Sequence, residues 1–241
     1  MKKLRMWYTV PVLCTGQQKD MTAEPAIPKH NQPADRQPAQ EAHMCGQFYI
    51  EDDPDHRAIA EAMNRSPLRE KFAQRAAILT QGTVRPGTVA PVVASNRAGR
   101  RAVFPMLWGF HGKTLLINAR AETAALRPTF RDAWFAHRCA IPASGYFEWR
   151  RMPDGRKSGD KYALHPSGAG LTWLCGLYRL EEGLPCFVVL TRPPTEEIRF
   201  IHDRMPLMLP EDRVSEWIRP DTDAAALLSA AQTEIQFQLV G

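Results

Sequence analysis

The chain predicts an α+β domain built on a mostly antiparallel, barrel-like sheet with a few flanking helices. Its apolar stretches are short and rich in β-branched and aromatic residues, as in CGQFYI, CAIPASGYFEW and CFVVLT, which is strand composition at strand length. These stretches follow one another with only occasional helical spans, which departs from regular βα alternation. There is no internal repeat and no glycine-rich phosphate loop. A length of 241 residues suits one core with an appendage better than two full domains.

In chain order, residues 1–44 read as the appendage and 45–241 as the domain. MKKLR followed by MWYTVPVLC imitates a short secretory signal, but Pro11 interrupts the apolar run and no small-x-small cleavage site follows. Residues 15–43 mix Pro, Gln, Lys and Asp with few large apolar groups, so ordering them would cost more entropy than burial returns, and disorder is expected. Two explanations stand open: the real start is Met44, or a leader is removed to expose Cys45. From Cys45, CGQFYI reads as a strand, and Asp53-Pro54 caps a helix whose apolar residues Ile59, Ala60 and Met63 recur at helical spacing. Pro86-Gly87 marks a turn, 89–94 a strand, and Arg97, Arg100 and Arg101 a basic, solvated hairpin tip before the strand AVFPMLWGF. LLINARA then leads into a segment that Pro128 and Phe130 interrupt before the helix-like RDAWFAHR. The strands CAIPASGYFEWR, KYALH, LTWLCGLYRL and CFVVLT follow, the first pair separated by a polar hairpin, PDGRKSGD. Helix-like spans at TEEIRFIH and PEDRVSEWI, an Ala-rich helix and the strand EIQFQLV complete the chain.

Composition limits the chemistry. A net charge of +5, two units of which fall before Cys45, permits a polyanion partner without requiring one. Five cysteines at irregular spacing, with no CxxC pair, argue against a disulfide framework and against a zinc site, and favour a reducing cytoplasm. No stretch approaches the roughly 20 apolar residues of a membrane span.

Cys45 is the reactive candidate. As a first residue it would carry an α-amine, with an ordinary pKa of about 7.7–8.0, next to a thiol. The amine condenses with an aldehyde, and the thiol can close on the resulting imine to give a five-membered thiazolidine. An internal cysteine can do only the thiol half.

Four blocks in order, MCGQF at 44–48, NARAET at 118–123, IPASGYFEW at 141–149 and IHDRMPLML at 201–209, resemble the SRAP family (SOS-response-associated peptidases), proteins that shield abasic sites in DNA. The resemblance implies an abasic-site crosslinking enzyme whose partner is single-stranded DNA bearing the lesion, or a single-strand/duplex junction. No cofactor, metal or membrane is implied, and the location is cytoplasmic, nucleoid-associated when on DNA. It makes Cys45 the thiazolidine-forming residue, Asn118 the amide that positions it, Glu148 the general acid/base and His202 the proton shuttle. It makes Arg120 and Arg204 phosphate contacts, places Trp108 and Pro86 against bases, and gives Thr191 a hydroxyl contact near the site. Chemistry agrees: an amide orients without adding charge, an apolar setting suits a carboxylic acid that must give up a proton, and imidazole works in both directions. Gln47 departs from the arginine the family usually has after Cys-Gly, which removes one phosphate contact.

Taken singly, these residues have structural readings. Cys45, Cys139, Cys175 and Cys186 would be core, Glu148 a strand carboxylate paired to Arg150 or Arg151, His202-Asp203-Arg204 a loop anchor, and Asn118 a turn residue. Four blocks in order outweigh them. Two further functions compete: self-removal of the leader at Met44-Cys45, and reversible junction binding through Arg120, Arg204 and Trp108.

Overall fold

The computed structural model describes residues 46–152, 156–168 and 170–241. The expected disordered leader and Cys45 lie outside them. In order the strands are β1 (Gln47–Ile50), β2 (Gly82–Val84), β3 (Val89–Ser95), β4 (Arg101–Trp108), β5 (Asn118–Arg120), β6 (Arg138–Ala143), β7 (Gly145–Arg151), β8 (Lys157–Pro166), β9 (Thr172–Glu181), β10 (Leu184–Arg192), β11 (Met205–Pro206), β12 (Met208–Leu209) and β13 (Ile235–Leu239). The helices are α1 (Pro54–Asn64), α2 (Leu68–Ala73), α3 (Ala121–Ala124), α4 (Pro128–Ala136), α5 (Glu211–Trp217) and α6 (Ala224–Leu227). None of them is long and apolar enough to cross a membrane.

Strands β10, β4, β3, β6 and β9 lie side by side, and pairing of β9 with β10 closes them into a five-stranded barrel. All neighbours are antiparallel except β4 on β10. A second sheet, ordered β13-β8-β7-β1-β2, packs against it. The fold class is therefore the α+β, barrel-like one the strand lengths implied.

Successive strand residues point to opposite faces, and the barrel strands feed two cores in that rhythm. Ala90, Val92, Trp108, Phe187 and Val189 pack with Phe48, Tyr146 and Leu164 of the second sheet. Val93, Ala140, Val188 and Leu190 lie instead under Trp134, Val214, Trp217 and Leu227 from the helices. Because both faces are covered, β10 is apolar almost throughout and buried from Leu184 to Thr191. Gly176 lets three strands close: a Cβ there would lie 2.7 Å from Ile141 Cδ1 and 2.8 Å from the Val188 carbonyl oxygen.

Arg138 fastens the helices to the barrel. Its buried guanidinium donates to the Trp134 carbonyl at the end of α4 (2.7 Å), to the Trp217 carbonyl at the end of α5 (2.7 Å), to the Arg219 carbonyl, and to Thr222. Carbonyls left over at helix C-termini are good acceptors for a cation.

Local details correct several expectations. Pro128 opens α4 at its first turn instead of interrupting the segment, because a proline nitrogen has no hydrogen to leave unsatisfied there. TEEIRFIH forms one 3-10 turn, Glu196–Ile198, and then an irregular loop. β8 starts at Lys157, so half of the supposed hairpin PDGRKSGD is strand. At the α1 start, Asp53 accepts from the His56 amide at 2.9 Å, the expected cap. The tip between β3 and β4 is organised by Asn96, which accepts from the Ala98 and Arg100 amides and leaves Arg97 and Arg100 in solvent. Arg101, by contrast, pairs with Glu211 at 2.6 Å and lies over the Trp173 ring.

Cys139, Cys175 and Cys186 are free and buried. Burial pushes the Cys186 thiol up to about 12, and raises the other two well above the ordinary range. His111, Glu181 and Cys186 bring donor atoms within 4.8 Å of one another. Arg179 (2.8 Å) and His111 (2.5 Å) already occupy that carboxylate, so the corner is a polar latch on the β9–β10 hairpin.

Candidate active site

The site gathers at the amino-terminal end of β1. Gln47 pairs with Phe147 of β7 and Phe48 with Val84 of β2. On one side this puts Glu148 one residue past the last β1–β7 pair. On the other it puts the Pro86 turn two residues past the last β1–β2 pair. Pro86 is partly exposed in that turn, and the following Gly87 has φ 81°, a conformation glycine adopts without strain.

Glu148 is only 4% exposed, and one carboxylate oxygen accepts from the Trp149 amide at 3.1 Å. The surface ion-pair reading is thereby overturned, since Arg150 points to Asp160 at 3.8 Å. Three residues on, the Arg151 amide donates to the Ile201 carbonyl at 2.9 Å. That bond fastens the end of β7 to the loop carrying His202.

His202 is 3% exposed. Its Nδ1 faces the Arg204 amide at 3.1 Å and an Asp203 carboxylate oxygen at 2.8 Å. The amide needs a lone pair on Nδ1 and the carboxylate needs a proton there, so each protonation state of the ring has its own partner. This arrangement makes the His-Asp-Arg turn an anchor and a proton-handling group together.

Asn118 begins β5, a three-residue strand that lies parallel on β10 through Asn118 with Val189, Ala119 with Leu190 and Arg120 with Thr191. Asn118 is half-buried and Arg120 is exposed. β11 flanks β10 on the same stretch, with Pro206 opposite Thr191. Arg204, just before β11, bridges these pieces: it donates to both carboxylate oxygens of Glu122 (2.5 and 2.7 Å) and to the Thr191 carbonyl (2.8 Å).

Three expectations change here. Trp108 cannot stack on a base: it is fully buried, lies against Phe187 and Phe48, and donates its indole N–H to the Ile117 carbonyl at 3.0 Å. Thr191 cannot offer its hydroxyl to DNA either, being fully buried with that hydroxyl directed to the Ala119 carbonyl at 3.4 Å. Arg204 is no open phosphate fork, because Glu122 fills it and the side chain is 11% exposed. Sequence reasoning missed Glu122, although it lies inside the NARAET block.

Burial pushes the Glu122 carboxyl up, but hydrogen bonds from Arg204 and from its own amide, with the charges of Arg204 and Arg120, hold it below the ordinary range. A lowered carboxyl adds stability above its unfolded pKa, about 4.3, and loses it as pH falls through the folded value. At pH 7 the protein should therefore melt at higher temperature than Glu122→Gln, and the two should converge below pH 4. Melting midpoints across that range check this, and a gap that persists in acid would mean the clamp is not ionic.

The overall architecture matches solved structures. A Bacteroides thetaiotaomicron protein superposes with a TM-score of 0.63 at 20% identity, covering 82% of this chain and 92% of that one. A phage-related protein from Bordetella bronchiseptica gives 0.61 at 21% identity, covering 81% and 94%. These likenesses define the fold. The model of the SOS response associated peptidase (SRAP) family matches residues 44–240, and the chain belongs to that family. Among curated relatives, the abasic site processing protein YoqW of Bacillus subtilis is 37% identical over 123 residues, covering 48% of this chain and 54% of that protein. The abasic site processing protein YedK of Escherichia coli is 31% identical over 145 residues, covering 57% and 64%. The chain thus spans between half and two thirds of these relatives' length.

Proposed function

We propose that the domain, once it begins at Cys45, crosslinks to abasic sites in single-stranded DNA or at single-strand/duplex junctions and so shields the lesion in the DNA damage response. The observation that carries this is the convergence of buried Glu148, buried His202 and Asn118 at the end of β1 that leads to Cys45. The Cys45 amine adds to C1′ of the ring-opened sugar, the carbinolamine loses water to give an imine, and the thiol adds across C=N, its proton passing to nitrogen. Glu148 donates to the departing oxygen and takes protons back, His202 exchanges protons with the sugar, and Asn118 holds the amine in line. Exposed Arg120 meets phosphate, and Pro86 offers a surface to a base. Such an enzyme works in the cytoplasm, on the nucleoid.

The test uses protein starting at Cys45 and an oligonucleotide with one abasic site, read on a denaturing gel. A heat-stable adduct is expected, lost in Cys45→Ala, while Cys45→Ser gives only an imine that borohydride traps. No adduct with the native protein, or an undiminished one in Cys45→Ala, overturns the reading. Reversible junction binding alone would instead show binding fully competed by salt. A second reading concerns the same groups: they flank the Met44-Cys45 bond, which fits self-removal of residues 1–44. Mass spectrometry of the full chain carrying Met44→Leu decides it, since a persisting leader excludes self-cleavage.

A further inference from the structure

The inner face of the second sheet continues past Glu148 as an apolar shelf. Residues directly opposite in adjacent strands share a face. Glu148 of β7 pairs with Tyr162 of β8, and Tyr162 with Leu239 of β13, so the three form one row. Tyr146, Leu164 and Phe237 form the next. The inner end of each row is buried, whereas at the outer end Leu239 is 56% and Phe237 42% exposed. Phe200, from the loop two residues before His202, completes the shelf at 45% exposure. Its ring centroid lies 5.4 Å from that of Phe237 and 5.8 Å from that of Tyr162, each pair edge to face.

Exposed aromatics in such a cluster call for an occupant, and several features select it. The shelf is in register with Glu148 and contiguous with His202, so whatever fills it lies next to the reacting group. A second protein docked there would cover the site, and three rings fall well short of the roughly 800 Å² per partner of a stable protein interface. Arg151, bonded through its amide to the same loop, makes no ion pair among the described residues, and its Nε is buried without a hydrogen-bond partner. A cation beside exposed ring surface suits a nucleotide: base on aromatic, phosphate on guanidinium. With Trp108 buried, the shelf also supplies the stacking surface that the sequence assigned to that residue.

We propose that Phe200 and Phe237, backed by Tyr162 and Leu239, hold the unstacked nucleobase adjacent to the abasic site, with Arg151 on its phosphate. This rests on single-stranded DNA being the substrate, but not on the crosslinking chemistry. The probe is therefore a single-stranded oligonucleotide carrying a tetrahydrofuran abasic analogue, which has no aldehyde and can form no adduct. Its binding is followed by fluorescence anisotropy, alongside two oligonucleotides in which a second tetrahydrofuran replaces the base on one side or the other. For the native protein, removing the base on one side should weaken binding about tenfold. Phe200→Ala and Phe237→Ala should bind the intact probe that much more weakly and no longer distinguish it from the base-deleted one, whereas Phe237→Tyr should retain the discrimination. Thermal melting confirms that each variant folds.

Native protein indifferent to base removal on both sides overturns the proposal, as do folded alanine variants that discriminate like the native. So does sedimentation showing a dimer that Phe237→Ala dissolves with DNA affinity unchanged. The adduct assay keeps the two readings apart. Discrimination without any adduct on true abasic DNA removes the chemistry and keeps the shelf, while an adduct without discrimination removes only the shelf.

Discussion

Glu148→Gln is expected to slow adduct formation on abasic single-stranded DNA by about 10²–10⁴-fold, with binding of the aldehyde-free analogue retained. The substitution keeps the shape of a side chain that is 4% exposed and keeps an oxygen for the Trp149 amide. It removes only the capacity to give and take a proton. The fold should tolerate it, because a buried amide costs less to desolvate than a buried carboxylate. Single-turnover rates on gels measure the effect, and a variant reacting at the native rate would take Glu148 out of the chemistry.

The second large effect is on stability. Arg138→Leu should cost about 3–5 kcal/mol, measured as a shift in chemical denaturation. The guanidinium is 2% exposed and serves carbonyls from Trp134, Trp217, Arg219 and Thr222 together. Burial lowers its pKa and the charges of Asp221 and Asp223 oppose that, while arginine's high ordinary value keeps it cationic. Leucine leaves those carbonyls buried without donors. Arg138→Lys should rescue little, because one ammonium cannot span the ends of two helices. A loss below about 1 kcal/mol would mean that water or a shift of α5 satisfies them.

The barrel was legible because its strands are short, apolar and punctuated by turn residues, and the class follows from that rhythm. α2 and β2 were not legible: Leu68 and Phe72 span one helical turn, and GTV is three residues at a sheet end, too little for periodicity to register. TEEIRFIH has helical spacing at Ile198 and Ile201, yet those two residues plug the first core from a loop. Among site residues, the placement of Glu148 and His202 could be expected from their apolar neighbours. The errors at Trp108, Thr191 and Arg204 share a cause. Sequence shows a side chain's capacity but not whether that capacity is already used, and here Ile117, Ala119 and Glu122 use it.

The three thiols set inside the barrel walls have a practical consequence. With Cys139, Cys175 and Cys186 buried and protonated at neutral pH, folded protein starting at Cys45 presents electrophilic reagents with one distinctive sulfur. Maleimides, aldehyde probes and mild oxidants become site reporters without any cysteine having to be engineered out, and a second labelled thiol signals that the barrel has opened.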